Sequence, residues 1–188
     1  SMQDCVFPTL TTALGAYFLA GEQKPRTGNR HPALSAAPYN VYEAQDGHVA
    51  MICIRDGHWR KLCDAMNRAE LAEDQRFIDM KSRSSNMDEL DDLINAWTRQ
   101  HTKEEIFTRT QEFGVICAPV QSLADVVSDP HMHERGTLHW VENKMLGETV
   151  LMNTPLRFKN LQPPALEPVA ELGHHTNDIL AELLSLNV

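Results

Sequence analysis

Residues 3 to 20, "QDCVFPTLTTALGAYFLA", carry a single charged side chain, Asp4. Val6, Leu10, Ala13, Leu14, Tyr17 and Phe18 fall at helical spacing, so the segment reads as a helix. Pro8 fits its first turn, where a missing N–H costs nothing, and Gly21 is a suitable stop. Apolar residues cover most of the circumference. Such a helix is normally buried on several sides. Part of its packing surface is therefore expected to come from elsewhere.

The segment that follows has the opposite character. "RTGNRHPALSAAP", residues 26 to 38, holds Arg26, Arg30 and His31 and no acid. The chain around it has 26 Asp+Glu against 17 Lys+Arg, a formal net charge of -9. Pro25, Pro32 and Pro38 exclude regular structure over 21 to 38. A Gly-Asn turn with two nearby Arg can cradle phosphate. The plainer reading is a hinge between domains.

The acidic balance argues against unspecific nucleic-acid binding, which needs a positive surface. No run of about 18 apolar residues is present, so no membrane span is expected. The first helix lacks the basic leader of a signal peptide. Cys5, Cys53, Cys63 and Cys117 form no C-x-x-C pair and no common zinc spacing. They are expected to be reduced thiols of a cytoplasmic protein.

From residue 39 the pattern turns to strands and then to helices. "YNVYEA", Asp46-Gly47 and "HVAMICI" make a β-hairpin signal. The second arm is apolar on both faces, which suits a central strand. Asp56 then reads as the cap of a helix over 57 to 67, with Trp59, Leu62, Cys63 and Met66 inward. "LAEDQRF" is a short turn or helix, and Ser85 or Asn86 caps a helix with Leu90, Leu93, Ile94 and Trp97 in phase. Thr102 and Glu105 form a capping box for a helix through Phe113, which Gly114 ends. "VICAPV" reads as a strand, Ser122 and Ser128-Asp129-Pro130 as two helix starts. Two strands flank Leu146-Gly147, "QPPALEP" is a linker, and "GHHTNDILAELLSL" is a terminal helix. The order implies a mixed α/β fold.

Few residues offer chemistry. His131, His133 and His139 resemble a metal set, but i and i+2 diverge at a helix start and no carboxylate completes it. His174 and His175 precede a helix, with Asp178 at its positive end, and read as structural. Asp56 is either a helix cap or a carboxylate at the end of a strand, where ligands meet sheets. No G-x-S-x-G, phosphate-binding loop or G-x-G-x-x-G is present. No metal and no tightly bound cofactor are expected.

Seven ordered blocks add a resemblance. They are "ALGAYFLAGEQKPRTGNRHP", "APYNVYEAQDGHVAM", "RDGHWRKLC", "LAEDQRF" with a later Arg and Asn, "GVICAPV", "DPHMHERG" and "LGHHTNDIL". In this order they resemble the class III CoA-transferases, which include formyl-CoA and carnitine CoA-transferases and relate to α-methylacyl-CoA racemases. Family members run to roughly twice this length, so the match implies a C-terminal half. The family's nucleophilic Asp lies in the other half, and Asp4 does not match it; no catalytic residue is expected in this chain.

The resemblance further implies a residual large-domain helix over 1–20 and an interdomain linker over 21–36. It implies a small α/β domain over 37–120, with a short antiparallel sheet and flanking helices. A return arm over 121–188 would help complete a Rossmann-like large domain. Tyr39, Asn40 and Asp56 are the implied substrate-facing residues. The implied partners are an acyl-CoA, a carboxylic acid and a second copy in a homodimer, with coenzyme A thioester as substrate. The expected function is CoA transfer, with the chain alone inactive. The alternatives are a non-enzymatic binding or assembly module, such as a domain-swapped dimer, and a fragment of an α-methylacyl-CoA racemase.

Overall fold

The computed structural model describes residues 1–20, 26–160 and 166–184. The expected stop at Gly21, the breaker at Pro25, most of "QPPALEP" and the last residues of the terminal helix lie outside the described residues. The chain divides into two compact units, Ser1–Val120 and Gln121–Val188.

The first unit is built on a three-stranded antiparallel sheet. β1 (Tyr39–Ala44) and β2 (Gly47–Ile52) form the expected hairpin, closed by Gln45 and Asp46. Gly47 opens β2 with φ 148, a conformation that side chains with a Cβ rarely adopt. β3 (Ile116–Pro119) pairs antiparallel with β2, which makes β2 central. Only one face of the sheet is packed, however. Val49 and Met51 are buried, whereas His48 and Ala50 on the other face are exposed. Ile116 and Val120, with 47% and 44% exposure, keep apolar surface open on and beside that face.

Helices cover the packed face. α3 (Asp56–Ala65) buries Trp59, Leu62 and Cys63. A 3₁₀ turn at Ala69–Ala72 and α4 (Met80–Ser85) follow. α5 (Met87–Thr98) buries Met87, Leu90, Asp91, Ile94 and Thr98, a single stripe at helical spacing. Full burial of an aliphatic side chain such as Leu90 or Ile94 contributes roughly 1.5–3 kcal/mol. α6 (Lys103–Glu112) begins at the expected capping box: Thr102 N–H donates to Glu105 Oε2 at 2.8 Å. The hairpin turn contributes as well, since Asp46 Oδ1 accepts from Lys103 N–H at 2.7 Å. Gly114, at φ 67, ends the helix.

Before this body runs an N-terminal helical segment: α1 (Met2–Val6), a 3₁₀ turn at Phe7–Leu10 and α2 (Thr11–Ala20). None of the residues described in it is buried; Phe18 is 78% and Leu19 91% exposed. Its all-round apolarity is thus left open to solvent.

The second unit pairs β4 (Leu138–Asn143) with β5 (Gly147–Met152) around the expected turn. It also holds α7 (Leu123–Val127), α8 (Pro130–Glu134) and α9 (Thr176–Leu184). Ser122 and Asp129 cap α7 and α8 as their sequence positions imply.

Candidate functional site

Residues 26 to 38 run along the first unit and are bonded to it through Arg30 and Ala37. They form a strap held at both ends. At one end Arg30 meets the start of α5: Nε donates to Asp91 Oδ2 at 2.7 Å, and Nη2 lies 2.8 Å from Asp88 and 2.6 Å from Asp91. Asp91 is only 7% exposed and takes two further donors. Asn40 Nδ2 donates to its Oδ2 at 2.9 Å, and the Tyr42 hydroxyl donates to its Oδ1 at 2.7 Å. Asn40 and Tyr42 share a strand face, so one carboxylate ties the strap, β1 and α5 together. Burial, then the Asp91 charge and hydrogen bond, push the Tyr42 hydroxyl well above the usual phenol range.

At the other end a second arginine takes hold. Arg83, on α4, is fully buried. Its Nε donates to Ala37 O at 2.8 Å, Nη1 to Phe77 O at 2.9 Å and Nη2 to Asp56 Oδ1 at 2.7 Å. Its guanidinium carbon stands 5.8 Å from the centre of the Trp59 ring. Burying a charge costs several kcal/mol unless it is paired and hydrogen-bonded, and Arg83 is both.

This changes the reading of Asp56. It is the first residue of α3, not the cap. Arg55 holds the cap position and makes no side-chain cap bond. The Asp56 carboxylate turns instead to Arg83 and supplies its counter-charge. Its side chain stays 50% exposed, which leaves an edge of the carboxylate open to solvent.

Between the clamps the strap has its own order. His31 Nδ1 accepts from Ala33 N–H at 3.2 Å and lies 3.3 Å from Ser35 Oγ. Leu34 N–H donates to His31 O at 2.8 Å. Leu34 adopts φ 51 and packs against the core, a left-handed conformation that is uncommon for a bulky residue. The His31 ring meets Tyr39 edge-on at 5.3 Å. A groove of about 460 Å³ runs beside the strap, lined by Thr12, Gly15, Ala16 and Leu19 of α2 and by His31, Ala33 and Ser35.

The three sequence-chosen residues therefore fall in separate networks. Tyr39, with 36% exposure, sits with His31; Asn40 is committed to Asp91, its Oδ1 also accepting from Val41 N–H; Asp56 is committed to Arg83. Residue reasoning had not picked out Asp91. A signal was available, because it falls in phase with Leu90 and Ile94 among otherwise exposed acids. Among the described residues no cluster of His, Cys, Asp and Glu could hold a metal. His133 and His139 bring their Nε2 atoms to the backbone oxygens of Val127 and Gly136, at 2.6 and 3.1 Å, and His133 stacks on Trp140. No helix among the described residues is long and apolar enough to cross a membrane.

The family model for CoA-transferase family III matches residues 1–176. The chain is a member of CoA-transferase family III. It is 34% identical over 183 residues to a succinyl-CoA:mesaconate CoA-transferase of Haloarcula hispanica, covering 97% of this chain and 45% of that protein. It is 32% identical to a succinyl-CoA–D-citramalate CoA-transferase of Chloroflexus aurantiacus, with 96% and 45% covered. The crystal structure of a CAIB/BAIF family protein from Brucella suis superposes with a TM-score of 0.79 at 29% identity, over 96% of this chain and 46% of that one. The small α/β architecture with short antiparallel sheets is thus a family III architecture. The chain spans a little under half the length of the family III relatives it matches.

Proposed function

We propose that residues 1–188 form the portion of a CoA-transferase that receives an acyl-CoA beside the strap. Movement of CoA to a carboxylic acid then requires sequence beyond these residues. The observation that carries this reading is the family match across 1–176 in a chain that spans 45% of the first relatives. The site chemistry supports it. Covalent transfer needs a carboxylate free to attack a thioester. Asp91 is surrounded by donors, and Asp56 is the counter-ion of Arg83, so each is better suited to structure than to attack.

In this reading Tyr39, Asn40 and Asp56 border the substrate: Tyr39 by its open ring, Asp56 by its exposed edge and Asn40 by fixing the strand between them. The relatives named as transferring CoA between succinyl-CoA and mesaconate or D-citramalate make a short dicarboxylic acid the first acceptor to try. Free buried Cys53, Cys63 and Cys117 support a reducing compartment, the cytoplasm. The exposed apolar helical segment supports assembly into a homodimer.

The test is direct. Purified chain is titrated with succinyl-CoA, then incubated with succinyl-CoA and mesaconate while thioesters are followed by chromatography. The expected result is binding without mesaconyl-CoA formation. Turnover by the chain alone would refute the need for further sequence, and absence of binding would refute the acyl-CoA assignment.

A further inference from the structure

Resting on that reading, we propose that His31 is a ligand-binding residue whose Nε2–H donates to a carbonyl of the neutral pantetheine–thioester arm of an acyl-CoA, seated in the groove between α2 and the strap. Three observations carry this.

The first is the state of the ring. Ala33 N–H can only donate, so His31 Nδ1 must be the acceptor. The neutral imidazole then carries its proton on Nε2, which makes no hydrogen bond among the described residues. Among the described residues, a donor of fixed identity is left without a partner on a half-buried ring. The ring is fixed by three contacts: Ala33 N–H, Ser35 Oγ and the Tyr39 edge.

The second is the lining. Thr12, Gly15, Ala16, Leu19, His31, Ala33 and Ser35 include no Lys, Arg, Asp or Glu. Among these described lining residues a phosphate or a free carboxylate finds no counter-charge. The arm between nucleotide and acyl group is the uncharged part of an acyl-CoA, and its amides and thioester offer carbonyl oxygens. About 460 Å³ lies within the usual size range of ligand sites.

The third is the way the walls are made. A Cβ built on Gly15 would meet nothing within 4 Å, so the α2 wall is open for want of side chain. Opposite it, the left-handed Leu34 packs its partly buried side chain against the core while Ala33 and Ser35, on either side, line the groove. Backbone held in a sparsely populated conformation recurs at ligand sites.

The experiment uses the whole chain with ¹⁵N-labelled histidine. Ring signals are followed during titration with S-acetylpantetheine, adenosine 3′,5′-bisphosphate and succinyl-CoA. S-acetylpantetheine and succinyl-CoA are expected to shift the His31 Nε2 signal, and the bisphosphate to leave it in place. His31→Leu should weaken S-acetylpantetheine binding about 3- to 10-fold, the range of one hydrogen bond. His31→Gln, whose amide can place an N–H near Nε2, should restore most of it. Gly15→Leu should abolish binding altogether, by filling the groove, while raising helix propensity. A bound S-acetylpantetheine that leaves His31 unmoved, or an unchanged affinity in His31→Leu, overturns the proposal. If succinyl-CoA binds but only the bisphosphate reproduces its shifts, the groove assignment falls and the acyl-CoA reading stands. If succinyl-CoA does not bind at all, both fall.

Discussion

Two arginines and two aspartates decide how the strap sits, and they are not equivalent. Arg83 is fully buried, whereas its partner Asp56 is half exposed. Arg83→Ala removes one buried group and leaves two backbone carbonyls unpaired, so a loss of ~3–5 kcal/mol is expected. Asp56→Ala leaves the guanidinium beside solvent that can partly replace the carboxylate, and ~1–2 kcal/mol is expected. Asp91→Ala orphans Tyr42 and Asn40 together and should cost ~2–4 kcal/mol. Urea denaturation orders the three; Asp56→Ala as costly as Arg83→Ala would contradict the burial argument. The buried thiols make a separate prediction. Burial pushes Cys53 and Cys63 up to about 12, against about 8.5 in an unfolded chain. The unfolded state then loses protons first as pH rises, so their contribution is full below about pH 8.5 and fades towards 12. The urea midpoint should fall between pH 8 and 10.5, and less so in a Cys53→Ala variant. A midpoint constant over that range would count against buried neutral thiols. Asp91 and Arg83 also show where sequence reading runs short. An acid in apolar phase was visible but was masked by Asp88, Glu89 and Asp92 around it.

At the scale of elements, local chemistry was the legible part. The Thr102–Glu105 box, Ser122 and the Asp129-Pro130 start each satisfy backbone groups within a few residues, and Asp46-Gly47 sets a hairpin between adjoining strands, so their positions fix the elements. α4 was missed for a physical reason. Its one buried side chain is Arg83, and a search for apolar periodicity passes over a helix that buries a charge. The cap at Asp56 was misplaced because a distant partner, Arg83, outcompetes the local N–H groups for its carboxylate. β2 was rightly expected at the centre of the sheet, but its second face is open. The N-terminal helical segment was expected to take part of its packing surface from elsewhere, and its exposure agrees with that. Exposed apolar helices associate, so light scattering should show mass rising with concentration. Phe18→Glu with Leu19→Glu should suppress that rise while far-ultraviolet circular dichroism is unchanged. A chain that remains monomeric at every concentration would remove this support for a dimer.

At the scale of the whole molecule, the strap is the feature through which the proposed function is tied to the fold. Its basic residues looked like a phosphate loop or a hinge. The structure gives Arg30 to an acidic helix start and ties Ala37 to a buried arginine. What remains open is His31, Tyr39 and a neutral groove. The family blocks were legible because they recur in order along nearly the whole chain. The clamps were not, since Arg30 to Asp91 and Asp56 to Arg83 join residues far apart in sequence, and no local pattern announces such a pair. The central claim is that residues 26 to 38 are a fixed wall for an acyl-CoA and not a tether. Amide hydrogen exchange of the free chain, read residue by residue, tests it most directly. Arg30, Ala33, Leu34 and Ala37 carry the strap's bonded amides. The account predicts that they exchange at least tenfold more slowly than in an unstructured peptide, more slowly still with succinyl-CoA, and that Asp91→Ala abolishes the protection of Arg30. Exchange of all four at the unstructured rate would contradict it.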